Sequence, residues 1–289
     1  WACVRITRPW NVLMVGISMA LIHSAWVQPG LSGLINSEFL LLAAIMMILA
    51  ASGNVINDYF DVAEDLVNKP HRALVGRVVS RRTALMVHHF MVGTALSMAL
   101  ALSIDWHSPT PLLWSAFIAG LLWLYSPQFK RRFLRGNIVV ALIVGQLPIW
   151  CTLEAFNFHT WHDILDEASG QGLIAYALLS TVITFLREVT KDLQDITGDS
   201  SSGYDTLPVR WGSERTLKFL KKAHLFTWPL LVGAAILSSM QFSLGTESLI
   251  YLLPFAGANI QLFRGQVGSV SAWQKLTLGG GLAFLCFLI

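Results

Sequence analysis

Long apolar runs alternate with shorter polar connections along the whole chain. Runs approaching spanning length fall at about 11–27, 39–56, 84–104, 111–127, 138–156, 172–186, 224–240, 248–263 and 275–289. A helix rises about 1.5 Å per residue, so roughly 20 apolar residues cross a bilayer core. Several runs are nearer to about 15 residues, which leaves their ends soft. The pattern predicts an all-α polytopic membrane protein, nine transmembrane helices in one bundle around a central cavity, with residues 1–289 forming a single domain. No cleavable leader is expected, because the first run is long and further spans follow it.

The polar connections test that count. With the N-terminus on the cytoplasmic side, the tail carries Arg5 and Arg8. The next connections on that side carry five basic residues from Lys69 to Arg82, four from Lys130 to Arg135 and seven from Arg187 to Lys222, followed by Arg264 and Lys275. All 20 Lys and Arg fall on one side. Glu38, Asp105, Asp163, Asp166, Glu167 and Glu247 fall on the other. This is the sorting that the positive-inside rule requires, so the expectation is a protein of the cytoplasmic (inner) membrane with its N-terminus inside.

Composition agrees. The chain is 54% hydrophobic and 13% charged, against about 25% charged in soluble domains. Mean hydropathy is +0.58. The net charge of +3 gives no reason to expect nucleic acid as a partner. Cys3, Cys151 and Cys286 form no C-x-x-C pair, which excludes a thiolate metal site or disulfide framework.

Two cytoplasmic connections open on the same acidic pattern, D-x-x-D-x-x-x-D. The first copy is Asp58, Asp61 and Asp65; the second is Asp192, Asp195 and Asp199. Spacings of three and four predict three carboxylates on one helical face in each copy. Like charges so placed repel, and a hard cation relieves them. Mg²⁺ suits the donors, since it takes one or two carboxylates together with water and phosphate oxygens. Lys69, Arg72, Lys130, Arg131 and Lys191 stand beside the motifs, and Asn54 and Asn57 add neutral oxygens and amides on the first. Two other readings stay open at this level: solvated interfacial carboxylates, and a carboxylate-based cation transporter. Transporter carboxylates usually sit mid-membrane on broken helices, whereas the deep parts of these runs are almost free of charge, Glu154 being the main exception.

The chain also resembles the UbiA superfamily of intramembrane prenyltransferases. The likeness is carried by RITRPWN at 5–11, NDYFDVAED at 57–65, NKPHR at 68–72, LYSPQFKR at 124–131, LRGN at 134–137, KDLQDITGD at 191–199 and GYDTLPVRWG at 203–212. The K-D-x-x-D-x-x-x-D form with NKPHR is similar to the digeranylgeranylglyceryl phosphate synthase branch. After NKPHR the chain reads ALVGRVVS, where that branch commonly has a Pro-rich turn. The resemblance implies Mg²⁺-dependent transfer of a prenyl group from an allylic prenyl diphosphate to a lipophilic acceptor among membrane lipids. Geranylgeranylglyceryl phosphate is the favoured acceptor, and an aromatic acid or quinone precursor is the alternative. It further implies metal binding by Asp58, Asp61, Asp65, Asp192, Asp195 and Asp199, with Asp58, Asp61, Asp192 and Asp195 catalytic. Asn54, Asn57, Arg8, Arg72, Tyr125, Lys130, Arg131 and Lys191 would meet the diphosphate. Thr206 and Pro208 would lie in a lid loop. Glu188 would position the neighbours of Lys191, orient the acceptor, or pair with Arg187 or a basic loop residue.

Other features read more plainly. His88 and His89, adjacent on one helix, are expected on different faces, in polar contacts between helices. His159 and His162 are expected in an outer loop. Gly279, Gly280 and Gly281 permit close helix packing. Trp10, Trp26 and Trp150 are expected as interface anchors.

Overall fold

The fold is that of a computed structural model, whose described residues are 2–28, 31–62, 74–153 and 168–287. Fourteen α-helices and no named strand occur among them: α1 Ala2–Ile6, α2 Pro9–Trp26, α3 Leu31–Leu34, α4 Ser37–Phe60, α5 Arg81–Asp105, α6 Thr110–Leu124, α7 Arg135–Gly145, α8 Leu147–Cys151, α9 Ala168–Gln194, α10 Ile196–Ser201, α11 Leu207–Trp211, α12 Ser213–Phe242, α13 Leu249–Phe263 and α14 Val267–Leu285. The described part of each apolar run lies along a helix or pair of helices. Five segments are long and apolar enough to cross a bilayer: Ser37–Phe60, Arg81–Asp105, Thr110–Phe129, Gly170–Gln194 and Ser213–Met240. Arg135–Cys151 and Leu249–Phe263 are shorter apolar segments. The chain is an all-helical integral membrane protein.

It divides into two compact units, Trp1–Ala20 with Leu31–Lys130, and Leu21–Gly30 with Arg131–Ile289. In the first, α4 is the inner helix: 56% of its most apolar stretch is buried, against 22% for α5. Asn36 caps α4, its side-chain oxygen accepting from the Glu38 N–H. Phe90, Ile104, Leu113 and Phe117 stand exposed on α5 and α6, which a bilayer tolerates and water would not. A smaller core of Ile6, Val55, Val75, Val79 and Ala84 fastens α1 and the turn at 74–79 to the lower part of α4. Gly76, at φ +86°, makes that turn possible.

In the second unit, Ile183, Leu186, Val189 and Leu193 form one stripe of α9, packed with Leu220, Phe255, Leu262 and Val270. Of the glycines at 279–281, Gly280 is the one that permits close helix packing. A Cβ on Gly280 would stand 2.3 Å from the Ile250 carbonyl oxygen, so α13 and α14 touch backbone to backbone there. Behind the end of α9 lies a buried polar chain. Thr190 donates to the Leu186 carbonyl at 2.7 Å, so its oxygen is left to accept from Gln274 Nε2 at 3.1 Å. That amide also lies 2.9 Å from His224 Nε2, and the imidazole stacks on Phe255 with centroids 5.0 Å apart.

Two expectations change. His88 does make a polar helix contact, its Nδ1 lying 3.1 Å from the Ser52 carbonyl. Its ring and that of His89 nevertheless converge on Trp123, at 5.3 and 5.5 Å, instead of pointing apart. A long indole spans the arc between adjacent helical positions. Trp150 is fully buried and belongs to the core, on the short helix α8 whose first turn holds the buried Pro148. Trp26 packs on Tyr176 at 5.4 Å, while Trp10 is 79% exposed. Glu154, His159 and His162 lie outside the described residues.

Candidate functional site

The described aspartates of the first acidic motif, Asp58 and Asp61, lie at the C-terminal end of α4, and each faces a cation. Asp61 is the residue that ends the helix, its N–H donating to the Asn57 carbonyl at 3.0 Å. A carboxylate at a helix C-terminus faces the negative end of the dipole and needs a cation. Lys130 supplies it, with Nζ 2.5 Å from Asp61 Oδ2. The lysine is brought there by a π-helical turn at Tyr125–Phe129, closed by the Lys130 N–H donating to the Tyr125 carbonyl at 2.8 Å. On the same turn Ser126 Oγ donates to Asn57 Oδ1 at 2.9 Å, and Asn57 Nδ2 donates to Asp61 Oδ2 at 2.9 Å. Both ends of the Asn57 amide are therefore fixed, which orients Asp61.

Asp58 faces another cation, Arg8, at 2.5 Å. Arg8 takes the left-handed conformation, φ +53°, that a non-glycine residue rarely adopts. Asn54 Nδ2 donates to the Thr7 carbonyl at 2.8 Å and holds that turn against α4. Asn54, expected at the diphosphate, thus ties down the backbone that presents Arg8. Asp65 and Arg72, with Glu64 and Lys69, lie outside the described residues.

The second motif departs from the expected unbroken helical face. The long helix α9 ends at Gln194, and Asp195 (φ −98°, ψ 8°) begins the six-residue α10. Two helical links persist across the break: the Asp195 N–H donates to the Lys191 carbonyl at 2.9 Å, and the Asp199 N–H to the Asp195 carbonyl at 3.0 Å. Asp192 Oδ2 accepts from Asn137 Nδ2 at 2.7 Å. Asn137 is buried in the first turns of α7, which is entered through Leu134 at φ +57°. Asp195 is exposed. Asp199 accepts from Thr206 Oγ1 at 3.1 Å, and its carbonyl accepts from the Tyr204 N–H at 2.9 Å. Arg131 lies 5.2 Å over the Tyr204 ring, and its carbonyl accepts from the Asp205 N–H at 3.0 Å.

Glu188, one turn before Asp192, pairs with both Arg187 at 2.6 Å and Lys191 at 3.4 Å, so the pairing alternative holds. Lys191 is thereby placed beside Asp192, whose field it shares with Glu188 and Asp199. Thr206 and Pro208 are both buried, and they introduce α11. The stretch is a strap bonded to Asp199 through Thr206.

Each unit therefore gathers its own motif. The first joins Arg8, Asn57, Asp58, Asp61 and Lys130, with Tyr125 present through its backbone; the second joins Lys191, Asp192 and Asp199, with Arg131 on the strap. Two polar residues central to this geometry, Ser126 and Asn137, escape the sequence reading. Both lie inside motif stretches, LYSPQFKR and LRGN, where neighbouring charges draw attention away from a neutral donor.

The donors suit Mg²⁺: oriented carboxylate oxygens, with no competing soft ligand. Among the described residues no three His, Cys, Asp or Glu side chains come together as a cage. That fits an ion which keeps water and borrows substrate phosphate oxygens.

A sequence model of the UbiA prenyltransferase family matches residues 11–278. The digeranylgeranylglyceryl phosphate synthase of Methanoregula boonei is 32% identical over 215 residues, 73% of this chain and 68% of that protein. The enzyme of the same description from Methanopyrus kandleri is 29% identical over 302 residues, covering 99% of this chain and 98% of its own. Among solved structures, one of a digeranylgeranylglyceryl phosphate synthase superposes with a TM-score of 0.70 at 22% identity, covering 100% of this chain and 98% of its own. A UbiA homologue from Archaeoglobus fulgidus bound to GPP and Mg²⁺ gives 0.60 at 17% identity, covering 99% and 100%.

Proposed function

The chain belongs to the UbiA prenyltransferase family, and from that premise we propose that it transfers a prenyl group from an allylic prenyl diphosphate to geranylgeranylglyceryl phosphate. The acceptor is proposed from the relatives named above. The observation that carries the reaction class is the pair of acidic motifs, each with one aspartate held by a neutral amide: Asp61 by Asn57 and Asp192 by Asn137.

In this reading Asp58, Asp61, Asp65, Asp192, Asp195 and Asp199 hold Mg²⁺. When bound, the metal supplies Lewis-acid stabilisation of the charge that grows on the leaving diphosphate. The protein's part is orientation and counter-charge. Lys130, Arg131 and Lys191, with Arg8 and Arg72, neutralise phosphate oxygens. Asn57 and Asn137 keep Asp61 and Asp192 in one rotamer. The apolar spans exclude water, which would otherwise capture the allylic carbon as it loses diphosphate. The acceptor hydroxyl then forms the new C–O bond and releases its proton.

Nine spans, an internal N-terminus and residence in the cytoplasmic membrane complete the proposal, supported by the one-sided distribution of Lys and Arg. A single functional domain is proposed because the family match runs through both units. The test is diphosphate release by the purified protein from geranylgeranyl diphosphate. It should need both Mg²⁺ and geranylgeranylglyceryl phosphate; release with a phenolic acid but not with the glycerol phosphate would overturn the acceptor.

A further inference from the structure

The first unit carries an apolar groove that the proposed chemistry does not use. It has a volume of about 710 Å³ and is lined by Val12 of α2, Ala44, Met47, Ile48 and Ala51 of α4, and Met86, Val87, Phe90, Met91 and Thr94 of α5. Thr94 is its one polar side chain. Phe90 and Met86 are 77% and 55% exposed on its rim.

The groove has a charged mouth. On α4, Tyr59 continues the face of Ala44, Ile48 and Ala51 toward the basic side of the membrane. The Arg81 guanidinium lies 4.7 Å over the Tyr59 ring. Stacking covers one face of that plane and leaves its edge N–H groups to accept an anion. On α5, Arg82 lies one turn before Met86 and two before Phe90, so cation and rim share a ridge. Arg82 is exposed, and no described carboxylate pairs with it. Apolar trough and paired guanidinium groups thus follow in order along the same two helices.

We infer that this groove is a binding site for one anionic glycerolipid of the surrounding bilayer, its phosphate held by Arg81 and Arg82 and one hydrocarbon chain lying between α4 and α5. Charge complementarity selects the occupant. A zwitterionic lipid offers the same chain but sets a cation beside the two arginines, and basic pockets at this level of a membrane protein hold acidic headgroups. The site is independent of the prenyl-transfer reading, since none of its residues is a motif aspartate or one of the cations assigned to the diphosphate.

Native mass spectrometry of the full chain in neutral detergent, titrated with phosphatidylglycerol or phosphatidylcholine of identical chains, tests it. The wild type should retain one phosphatidylglycerol more tightly than phosphatidylcholine. Arg82→Gln should reduce that preference about fivefold, the size expected for one basic residue at an anionic surface, with the melting temperature in detergent unchanged. Ala44→Phe, which fills the trough, should weaken retention of both lipids alike. Equal retention of the two headgroups by the wild type would overturn the inference, as would an undiminished preference in Arg82→Gln.

Discussion

The two acidic motifs have the same spacing but are finished differently. In the first, cations come from far along the chain: Arg8 reaches Asp58 and Lys130 reaches Asp61, each at 2.5 Å. In the second, the bonds are from neutral donors, Asn137 to Asp192 and Thr206 to Asp199, and Asp195 stands exposed. The difference bears on how metal and phosphate arrive. In the proposed metal-binding reading, carboxylates already paired by the protein would give up a cation to the metal, and Lys130 and Arg8 would then be free for phosphate. Carboxylates held by neutral donors have no protein cation to displace, so in the same reading they would take metal without an exchange. That reading makes the second motif the first seat for Mg²⁺, and the first motif the one whose cations would respond to substrate.

The largest effects should come from the carboxylates themselves. Asp61→Asn and Asp192→Asn keep volume and remove charge, and each should lower kcat by at least about 10²–10³-fold, the loss typical for one preorganised electrostatic group. The comparison adds a distinction that direct metal titration reads. Asp192→Asn should raise the Mg²⁺ concentration needed for half-saturation of the substrate-free protein more than Asp61→Asn does. Equal shifts would mean that both motifs take metal alike.

Lys130→Gln should act in two opposed directions. It removes a phosphate partner, lowering kcat by about 10²-fold, and it also removes the competitor for Asp61 Oδ2. Less Mg²⁺ should then be needed for half-maximal turnover. Arg8→Gln should show the same pair of effects more weakly, since Arg8 is 46% exposed against 27% for Lys130 and its attraction is more screened. A higher Mg²⁺ requirement in Lys130→Gln would show that the lysine assists metal binding instead of competing with it.

The sequence makes the helices legible because a bilayer demands long apolar runs, and it makes the motifs legible because charge is scarce in them. Asp58, Asp61 and Asp192 stand out for that reason. What escapes is whatever depends on where a helix stops. Periodicity carries Asp192, Asp195 and Asp199 along one face, but α9 ends at Gln194 and Asp195 starts a new turn. Trp150 looks like an interface anchor by type, yet it is fully buried on the short helix that starts anew at Leu147. Asn137 and Ser126 are invisible to a search for charge, although each bonds to a motif residue across 55 and 69 positions respectively. Contacts of that range depend on how helices pack, which local pattern does not specify.

Those two residues give a finer test of the contrast. Asn137→Ala deletes a hydrogen bond to a carboxylate, a loss of about 1.5–3 kcal/mol, or about 10–100-fold in kcat/KM. Ser126→Ala deletes a hydroxyl-to-amide bond one step removed from Asp61, about 0.5–1.5 kcal/mol and so about tenfold at most. Should Ser126→Ala prove the more damaging, orientation would matter more on the cationic motif than on the neutral one, and the order of metal seating argued above would reverse.

The smallest effect on chemistry should come from behind the second motif. Gln274 bonds Thr190, two residues before Asp192, and touches His224, all three fully buried. Gln274→Leu keeps the volume but leaves the imidazole nitrogen without its amide donor, so thermal stability should fall by about 1–3 kcal/mol. Thr190 still donates to the Leu186 carbonyl, so α9 keeps its course and Asp192 keeps its bond to Asn137. Turnover at a temperature well below unfolding should change by less than about threefold, since no group that meets substrate has moved. A melting temperature unchanged alongside a large loss of turnover would show instead that this buried chain sets the position of Asp192, and that the neutral motif depends on α14 as much as on α7.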